Sequence, residues 1–403
     1  MGFAEHLCAL MAEREMSGQQ LARLVPCHPS LVCHYRRGRK RPSAKMAKLF
    51  DVALGAGGEL AGTASAEAGP DRRSVLAGGL LAGGVLAIAP DARDLLAWAE
   101  RHPPRMDAAV VDSLAELLTA QRRADAVLGS GVMLRPALAQ LAAVENLVRQ
   151  ARGPLRPALL NVAQQWSQFA AYQHRQLGDS AGDRGRLGQT LEWATEIGDR
   201  TMTATVLINR GETALLDGES GTAVGLAQAA QRDTSAAAGP RAHGADLQAR
   251  GHALAGDVAA AERCLGEAAE LATGLSDHDD RHPWLHWMSP TDMRCKRGVS
   301  FGFLAGDPRY HELAVAELEA GYAALPDEQR LTAWGAKYPA HLAIVHARAG
   351  DVGQACAAAL RAARITRRTG PSLAQRLAQQ VRTDLQARYP ADPRVAELAG
   401  ALA

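Results

Sequence analysis

A run of basic side chains near the N-terminus is the strongest chemical feature of this 403-residue sequence. It consists of Arg36, Arg37, Arg39, Lys40 and Arg41. Guanidinium and ammonium groups pair with phosphate oxygens, and their binding to nucleic acid weakens as salt rises. Residues 1–60 hold nine Lys and Arg against five Asp and Glu, whereas the remaining 343 residues hold 36 against 38. This distribution predicts a basic end that meets a polyanion, attached to a near-neutral body.

Two groups of cysteine and histidine residues are candidates for metal ligands. In the first, Cys27-His28 and Cys33-His34 recur six residues apart, a spacing that matches no usual zinc finger. The second contains His278, Asp280, His282 and His286. Because Pro283 interrupts the helix that would align these side chains, a loop that packs Trp284 and Trp287 onto a helical body is favoured. We expect no metal site and no cofactor.

The elements that position the basic run are helices. Phe3, Leu7, Leu10 and Met11 repeat at helical spacing, which predicts an amphipathic first helix. Ser17 lies three residues before Gln20, the spacing of a capping box that opens a second helix. A third helix over residues 30–36 is predicted to bury Val32 and Tyr35 and to expose Ser30, Leu31, Cys33 and His34, and a fourth helix follows Ser43.

The string from Gln20 to Pro42, QLARLVPCHPSLVCHYRRGRKRP, resembles the helix-turn-helix of the XRE type, the family of lambda repressor and Cro. The resemblance covers about residues 3–62 and implies a five-helix DNA-binding domain. Two departures are Pro26, where the family usually has Gly in the turn, and Pro29, where a base-reading side chain is common.

The resemblance also implies the roles of individual residues. Ser30, Leu31 and His34 face base edges, with His28 at the start of the recognition helix. Gln19 and Gln20 contact phosphate near the N-terminus of the second helix. The five cations of residues 36–41 neutralise further phosphates. In this family, a homodimer binds a pseudo-palindromic double-stranded operator with half-sites about one helical turn apart.

The body of the chain is predicted to be all-α, because Ala and Leu abound and aromatic residues make up only 4% of the sequence. A Gly-Asp or Asp-Gly turn recurs at Gly178, Gly218, Gly256, Gly306 and Gly350, with spacings of 40, 38, 50 and 44 residues. Helix pairs that repeat in this way stack into an α-solenoid. The repeats resemble the tetratricopeptide class. Together with the N-terminal domain, they resemble RRNPP-type peptide-responsive regulators and a group of actinobacterial regulators with a short Arg-Arg-x-x-Leu joining segment.

These patterns divide the chain into a DNA-binding domain (1–62), a linker (63–92) and a helical-repeat domain for sensing and dimerisation (93–403). The linker contains Asp71-Arg72-Arg73-Ser74-Val75-Leu76, which resembles a twin-arginine export signal. Because this segment follows a folded domain, we expect a cytoplasmic, nucleoid-associated protein with free thiols and no membrane partner.

A candidate ligand groove follows from the turns. Positions twelve and nine residues before each turn glycine fall on one helical face. They are Trp166 and Phe169, Val206 and Asn209, Gly244 and Leu247, Arg294 and Arg297, and Tyr338 and His341. Trp166, Asn209, Arg294, Arg297, Tyr338 and His341 are the candidates for binding a peptide or small acid, with the two arginines on a carboxylate. The alternatives are that these are ordinary surface positions, or that the register is wrong after the 50-residue gap.

The function that these patterns favour is a sequence-specific transcriptional regulator, controlled by a peptide or small ligand. The alternative is a helical-repeat scaffold for protein interactions with an accessory DNA-binding domain. No phosphate-binding loop and no Rossmann fingerprint occur in the sequence, and we expect no enzyme.

Overall fold

The computed structural model describes residues 3–14, 16–25, 29–38, 42, 44–56, 58–60, 63, 108–275, 282–285 and 288–402. Within these ranges every regular element is a helix and no strand occurs, which confirms the all-α prediction for this part of the chain. The chain divides into an N-terminal unit, residues 1–90, and a C-terminal unit, residues 91–403. Most of the linker expected at 63–92 lies outside the described residues. The described helices include none that combines the length and the apolar character needed to span a bilayer.

The N-terminal unit contains four described helices. They are α1 (Phe3–Glu13), α2 (Gly18–Leu24), α3 (Pro29–Arg36) and α4 (Ala44–Leu54). The expected capping box is confirmed, because Gln20 N–H donates to Ser17 Oγ over 3.2 Å and Ser17 N–H donates to Gln20 Oε1 over 2.8 Å. These two bonds satisfy amides that a helix N-terminus leaves without partners, so α2 starts at a fixed residue.

One apolar core joins these helices. The predicted inner face of α1 is buried, as are Val32 and Tyr35 of α3. Tyr35 meets Phe50 of α4 edge to face, with ring centroids 5.7 Å apart. Asp51 fastens the segment after α4, since its carboxylate accepts from Gly58 N–H over 2.6 Å and from Leu60 N–H over 2.8 Å. The core therefore fixes the angle at which α3 is held.

The C-terminal unit is a succession of helices that pack against their neighbours in chain order. Its helices are α5 (Ala108–Leu128), α6 (Ser130–Gln150), α7 (Leu155–Leu177), α8 (Ser180–Ile197), α9 (Arg200–Leu216), α10 (Ser220–Arg232), α11 (Ala238–Leu254), α12 (Val258–Ala272), α13 (Pro290–Phe303), α14 (Pro308–Ala324), α15 (Asp327–Arg330), α16 (Lys337–Ala349), α17 (Val352–Thr369), α18 (Leu373–Arg388) and α19 (Pro393–Ala401). A short 3₁₀ turn, Pro283–Leu285, precedes α13. Consecutive antiparallel pairs of this kind form a helical solenoid.

The five glycine turns lie between the paired helices α7–α8, α9–α10, α11–α12, α13–α14 and α16–α17, as the repeat predicts. At four of them the glycine has a φ of +80° to +84°, and Gly306 is the exception. At four of the five turns an aspartate follows the glycine and caps the next helix, whereas Gly218 is followed by Glu219, whose side chain makes no capping hydrogen bond. Asp179, Asp257 and Asp351, for example, each accept a hydrogen bond from the backbone N–H three residues later.

Glycines inside the helices let some pairs approach unusually closely. A Cβ atom added to Gly298 of α13 would lie 2.8 Å from the backbone N of Leu318 in α14. One added to Gly321 of α14 would lie 2.6 Å from Sγ of Cys295. Because an ordinary side chain has no room at these contacts, the sequence pattern of small residues sets the spacing of this pair.

Helices near the two ends of the C-terminal unit meet. α5 contacts α17, and α7 contacts α18. Arg376 of α18 donates to the carbonyl oxygens of Arg175 and Gln176 at the end of α7. Gly129, between α5 and α6, has φ +78°, and a Cβ there would lie 1.7 Å from the carbonyl oxygen of Thr369. The solenoid thus curves until its two ends close on each other.

Candidate functional sites

The closed solenoid surrounds a cavity of about 200 Å³. Its wall is built mainly from α7, α9, α13 and α16, each the first helix of its pair, and from α5 and α18. Aromatic side chains from different elements face it, among them Phe169, Trp284 and Trp334. An internal space with an apolar wall and several charged groups is typical of a small-ligand site.

Two cations on this wall, Arg122 and Lys337, have no carboxylate within 4 Å among the described residues. Arg122 of α5 lies over the Phe169 ring at 6.0 Å, and its Nη2 donates to the carbonyl oxygen of Gln165 over 3.4 Å. Burial lowers the pKa of Arg122 to about 10, so the guanidinium stays charged at neutral pH. Lys337 of α16 lies over the rings of Tyr338 and Trp334, at 4.9 and 5.9 Å from their centroids. The Lys337 side chain lines the cavity, and desolvation lowers the pKa of its ammonium group.

A charged network crosses the wall around Glu212 of α9. The Glu212 carboxylate lies 2.9 Å from His243 Nε2, 3.7 Å from Arg175 Nη2, 3.8 Å from Arg250 Nη2 and 4.0 Å from Lys296 Nζ. Burial by itself would raise the pKa of Glu212, but the surrounding positive groups and the His243 hydrogen bond hold it well below its ordinary value. Glu212 is therefore an anion that three cations share.

The same crowding lowers the pKa values of the basic groups. Burial, with the nearby charge of Lys337, lowers the pKa of Lys296 to about 7. Burial and the charge of Lys296, whose Nζ lies 3.0 Å from Nε2 of His243, lower the pKa of His243 to about 4. We therefore take His243 as neutral at physiological pH and Lys296 as a group that gains and loses its proton there.

Asp125 of α5 is the second carboxylate on the wall. It is buried and accepts hydrogen bonds from Gln173 Nε2 over 2.9 Å and from the Ser130 hydroxyl over 3.1 Å. Desolvation raises its pKa to about 6, against the effect of these two donors. The lining residues thus carry five Arg or Lys side chains against two carboxylates.

The structure brings three of the six candidate ligand residues to this cavity. Asn209, Tyr338 and His341 line it, as does Phe169. Tyr338 is held by a 3.0 Å hydrogen bond from its hydroxyl to Asp292 Oδ1, and burial lowers the pKa of His341 to about 3.

The other three lie elsewhere. Trp166 is fully buried in the apolar core between α5, α6 and α7. Arg294 and Arg297 are away from the cavity and share Glu317 of α14, at 2.9 and 2.7 Å. The carboxylate that pairs with these arginines is therefore one of the chain's own.

The wall residues that the sequence did not single out include Arg122, Arg175, Glu212, Lys296 and Lys337. The spacing from the glycine turns could have identified some of these wall residues. Positions nine and six residues before the glycine turn, rather than twelve and nine, contain Phe169 and Tyr172 on α7 and Asn209 and Glu212 on α9.

The segment before α13 packs on the helical body, as the sequence predicts for Trp284. That side chain is buried against α8 and α9, and His282 stacks on it with ring centroids 4.7 Å apart. His278, Asp280, His286 and Trp287 lie outside the described residues. Among the residues that are described, no group of His, Cys, Asp and Glu has the arrangement of a metal site.

A further string, Gly178-Asp179-Ser180-Ala181-Gly182, has the Gly-x-Ser-x-Gly form of a nucleophile elbow. The structure places it at the α7–α8 turn and not at the end of a strand. Its Ser180 hydroxyl donates to Asp217 over 3.0 Å, whereas His174 bonds Asp179. The string therefore forms a helix cap and not a catalytic triad.

In the N-terminal unit, α3 turns a polar side outward. Cys33, Arg36 and Arg37 are exposed and His34 is partly buried. Leu31 was expected to be exposed, but it packs partly against the core. Gln19 and Gln20 are exposed on α2, where the side-chain oxygen Oε1 of Gln20 accepts the capping-box hydrogen bond from Ser17 N–H. His28, Arg39, Lys40 and Arg41 lie outside the described residues, as does the side chain of Ser30.

Comparison with known proteins gives no assignment. No protein-family model matches the chain, and no curated protein matches its sequence.

Proposed function

We propose that this chain is a transcriptional regulator that binds double-stranded DNA through α3 and responds to a ligand in the cavity of its C-terminal unit. The observation that carries the proposal is the pairing of α2 and α3 on a common core, with Arg36 and Arg37 exposed beside His34 at the outer side of α3. A short helix of this kind fits the major groove, and its exposed cations are placed to neutralise phosphates.

The finer assignment follows the sequence resemblance. The N-terminal unit is proposed to be a five-helix domain of the XRE type, with Ser30 and His34 reading bases and Gln19 and Gln20 on the backbone. Leu31 keeps an edge for a thymine methyl group even though it packs partly on the core. The C-terminal unit is proposed to be a tetratricopeptide-like sensor that also holds a homodimer together. The five cations of residues 36–41 supply the salt-dependent part of affinity.

The test is the salt dependence of binding to a fluorescent random-sequence duplex, measured by anisotropy with the full chain. The double substitution Arg36→Ala and Arg37→Ala removes two phosphate contacts per recognition helix. It should lower the affinity and reduce the slope of log K against log salt by about two for each engaged helix.

A matched control removes charge from the other unit. Arg309 is exposed at the start of α14, and the double substitution Arg309→Ala and Arg200→Ala removes the same net charge. This control should bind DNA as the unmodified chain does. Equal salt slopes for the α3 variant and the unmodified chain, or no DNA binding by either, would contradict the proposal.

A further inference from the structure

Part of the cavity wall carries donors and positive charge without an acceptor close by. Arg122 and Lys337 have no carboxylate within 4 Å among the described residues, whereas Arg175 pairs with Asp183 and Glu212, Arg250 pairs with Asp246 and Glu212, and Lys296 lies 4.0 Å from Glu212. Among the lining side chains, the buried polar atoms that lack a protein partner are Nδ2 of Asn209 and Nε of Arg250, and both are donors. Because a buried donor without an acceptor costs about 1–3 kcal/mol, this wall favours an occupant that brings acceptors.

The two cations belong to one region of the wall. The N–H of Ala333 donates to the carbonyl oxygen of Ala126 over 3.4 Å, which joins the segment before α16 to α5. That segment carries Trp334 and leads into Lys337, and Ala126 follows Arg122 by about one helical turn. The contact therefore holds a guanidinium and an ammonium on adjoining parts of the wall.

Apolar groups complete the lining beside these cations. Phe169 lies under Arg122, and Trp334 and Tyr338 lie under Lys337. Leu373 and Leu377 of α18 face the same space. An occupant therefore meets positive charge next to aromatic and aliphatic surface, which matches an anion carried on an apolar group.

The size of the space selects among such anions. Pockets for drug-sized ligands measure about 300–1,000 Å³. This cavity measures about 200 Å³ and is lined in part by α5, α7 and α18, which take part in the contacts that close the solenoid. It suits a small molecule rather than an extended peptide.

We infer that the cavity binds a small amphipathic oxyanion, a carboxylate or phosphate on an apolar or aromatic group, through Arg122 and Lys337. The inference rests on the proposed function, because it names the chemical class of the ligand to which the regulator responds. The occupant touches α5, α16 and α18 together, so it strengthens the closure of the solenoid.

The test is isothermal titration of the full chain with four probes at millimolar concentration. Phenylacetate and phenyl phosphate represent the two oxyanions, phenylacetamide is the neutral counterpart, and inorganic phosphate lacks the apolar group. At least one aromatic anion should bind, more tightly than both the amide and inorganic phosphate. Which of the two binds tells a carboxylate site from a phosphate site.

Variants locate the binding. Arg122→Met and Lys337→Met should each weaken the binding of the aromatic anion about tenfold or more, which corresponds to about 1.4 kcal/mol, while Lys337→Arg should retain most of it. Arg309→Met is the matched control, because Arg309 also lies over a tyrosine ring, at 5.2 Å from that of Tyr310, but on the surface. Thermal unfolding of each variant checks that it is folded.

The outcomes separate this inference from the proposed function. Binding by none of the probes, equal binding of the amide, or aromatic-anion binding that survives both Met substitutions would overturn the inference. Selective binding of a short peptide with none of the small anions would do so as well. DNA binding by the same preparation is measured independently, so its loss with retained anion binding counts against the regulator proposal alone.

Discussion

The buried ionisable groups of the cavity set its chemistry at the residue scale. Moving a charge out of water costs several kcal/mol, and a neighbouring opposite charge offsets that cost only in part. Glu212 supplies part of the offset for Arg175, Arg250 and Lys296, together with Asp183 beside Arg175 and Asp246 beside Arg250. The lowered pKa of Lys296, about 7, indicates that the offset is incomplete for this group. An anion entering the cavity supplies a further negative charge.

The pKa of Lys296 predicts how anion binding depends on pH. Phenylacetate stays ionised from about pH 6 to 9, but Lys296 loses its charge as pH rises through about 7. Affinity should therefore be highest below pH 7 and should fall several-fold by about pH 9. The charged and titratable groups that face Lys296 are Glu212, His243, Arg250, Asp246 and Lys337.

Titration calorimetry at a series of pH values checks this. In Lys296→Met the affinity should be lower at pH 6 and should change less with pH. A steep profile that the substitution leaves unaltered would show that another group is responsible.

A second prediction concerns Asp51 in the N-terminal unit. Its carboxylate accepts from Gly58 N–H and Leu60 N–H, and it is 8% exposed. Asp51→Ala should leave two amides without these acceptors and destabilise the unit by about 2–4 kcal/mol. Hydrogen exchange of the full chain by mass spectrometry should then show faster exchange over residues 44–60 with no change in the C-terminal unit. Unchanged exchange over 44–60 would mean that Asp51 does not fasten this segment.

At the scale of elements, the closure of the C-terminal unit depends on a few contacts with little room. Gly129→Ala introduces a Cβ 1.7 Å from the Thr369 carbonyl oxygen at φ +78°. Gly370 is the matched control, because its φ of +75° and ψ of −169° lie in the same backbone region and nothing lies within 4 Å of an added Cβ. Gly129 has φ +78° and ψ +161°, so both substitutions carry the strain of a region that is essentially restricted to glycine, about 1–3 kcal/mol, but the first must also separate the α5–α6 turn from the end of α17.

Urea unfolding measures the difference. Gly129→Ala should lower the free energy of unfolding by at least about 2 kcal/mol more than Gly370→Ala. Equal losses for the two variants would argue against a tight contact between the α5–α6 turn and the end of α17.

Two helical glycines give opposite predictions. Gly225 of α10 is exposed, with nothing within 4 Å of an added Cβ, so Gly225→Ala should stabilise the chain by up to about 1 kcal/mol through helix propensity. Gly298→Ala should destabilise it by about 1–3 kcal/mol, because the new Cβ meets the backbone of α14. A Gly298→Ala variant whose unfolding midpoint stays the same or rises would contradict the close approach of α13 and α14.

The sequence predicts some features of the secondary-structure elements better than others. The Gly-Asp turns were predicted well because glycine conformation and aspartate capping are local properties. The face that each helix turns to the cavity depends on rotation about its axis, which neighbouring helices set. On α13 the lining side chains Lys296 and Val299 are offset by one residue from the register of α7 and α9, since Gly306 lacks the left-handed turn found at the other four sites. Because of that offset, the sequence pattern predicted Arg297 as a ligand-binding residue and missed Lys296.

The closing of the solenoid could not be read from the pattern at all. It joins α5 and α7 to α17 and α18 through contacts such as Arg376 with the end of α7, about 200 residues away in sequence. Cations at the two ends, Arg122 and Lys337, therefore had no visible relation to each other until the helices were assembled.

At the scale of the whole molecule, the chain combines a small basic unit and a larger unit with an internal cavity. This division gives each proposal its own measurement, since DNA affinity is tested on α3 and anion affinity on the cavity wall. If the larger unit holds a dimer together, two copies of α3 read one operator, and the operator must share their two-fold symmetry.

The most direct measurement of the central claim is selection of bound duplexes from a random-sequence pool by the full chain, followed by sequencing. We expect enrichment of a two-fold symmetric sequence whose half-sites are about 10 base pairs apart, and a relaxed preference after His34→Ala. A pool that stays unenriched after repeated rounds, or an enriched sequence that His34→Ala and the double substitution at Arg36 and Arg37 leave unchanged, would contradict it.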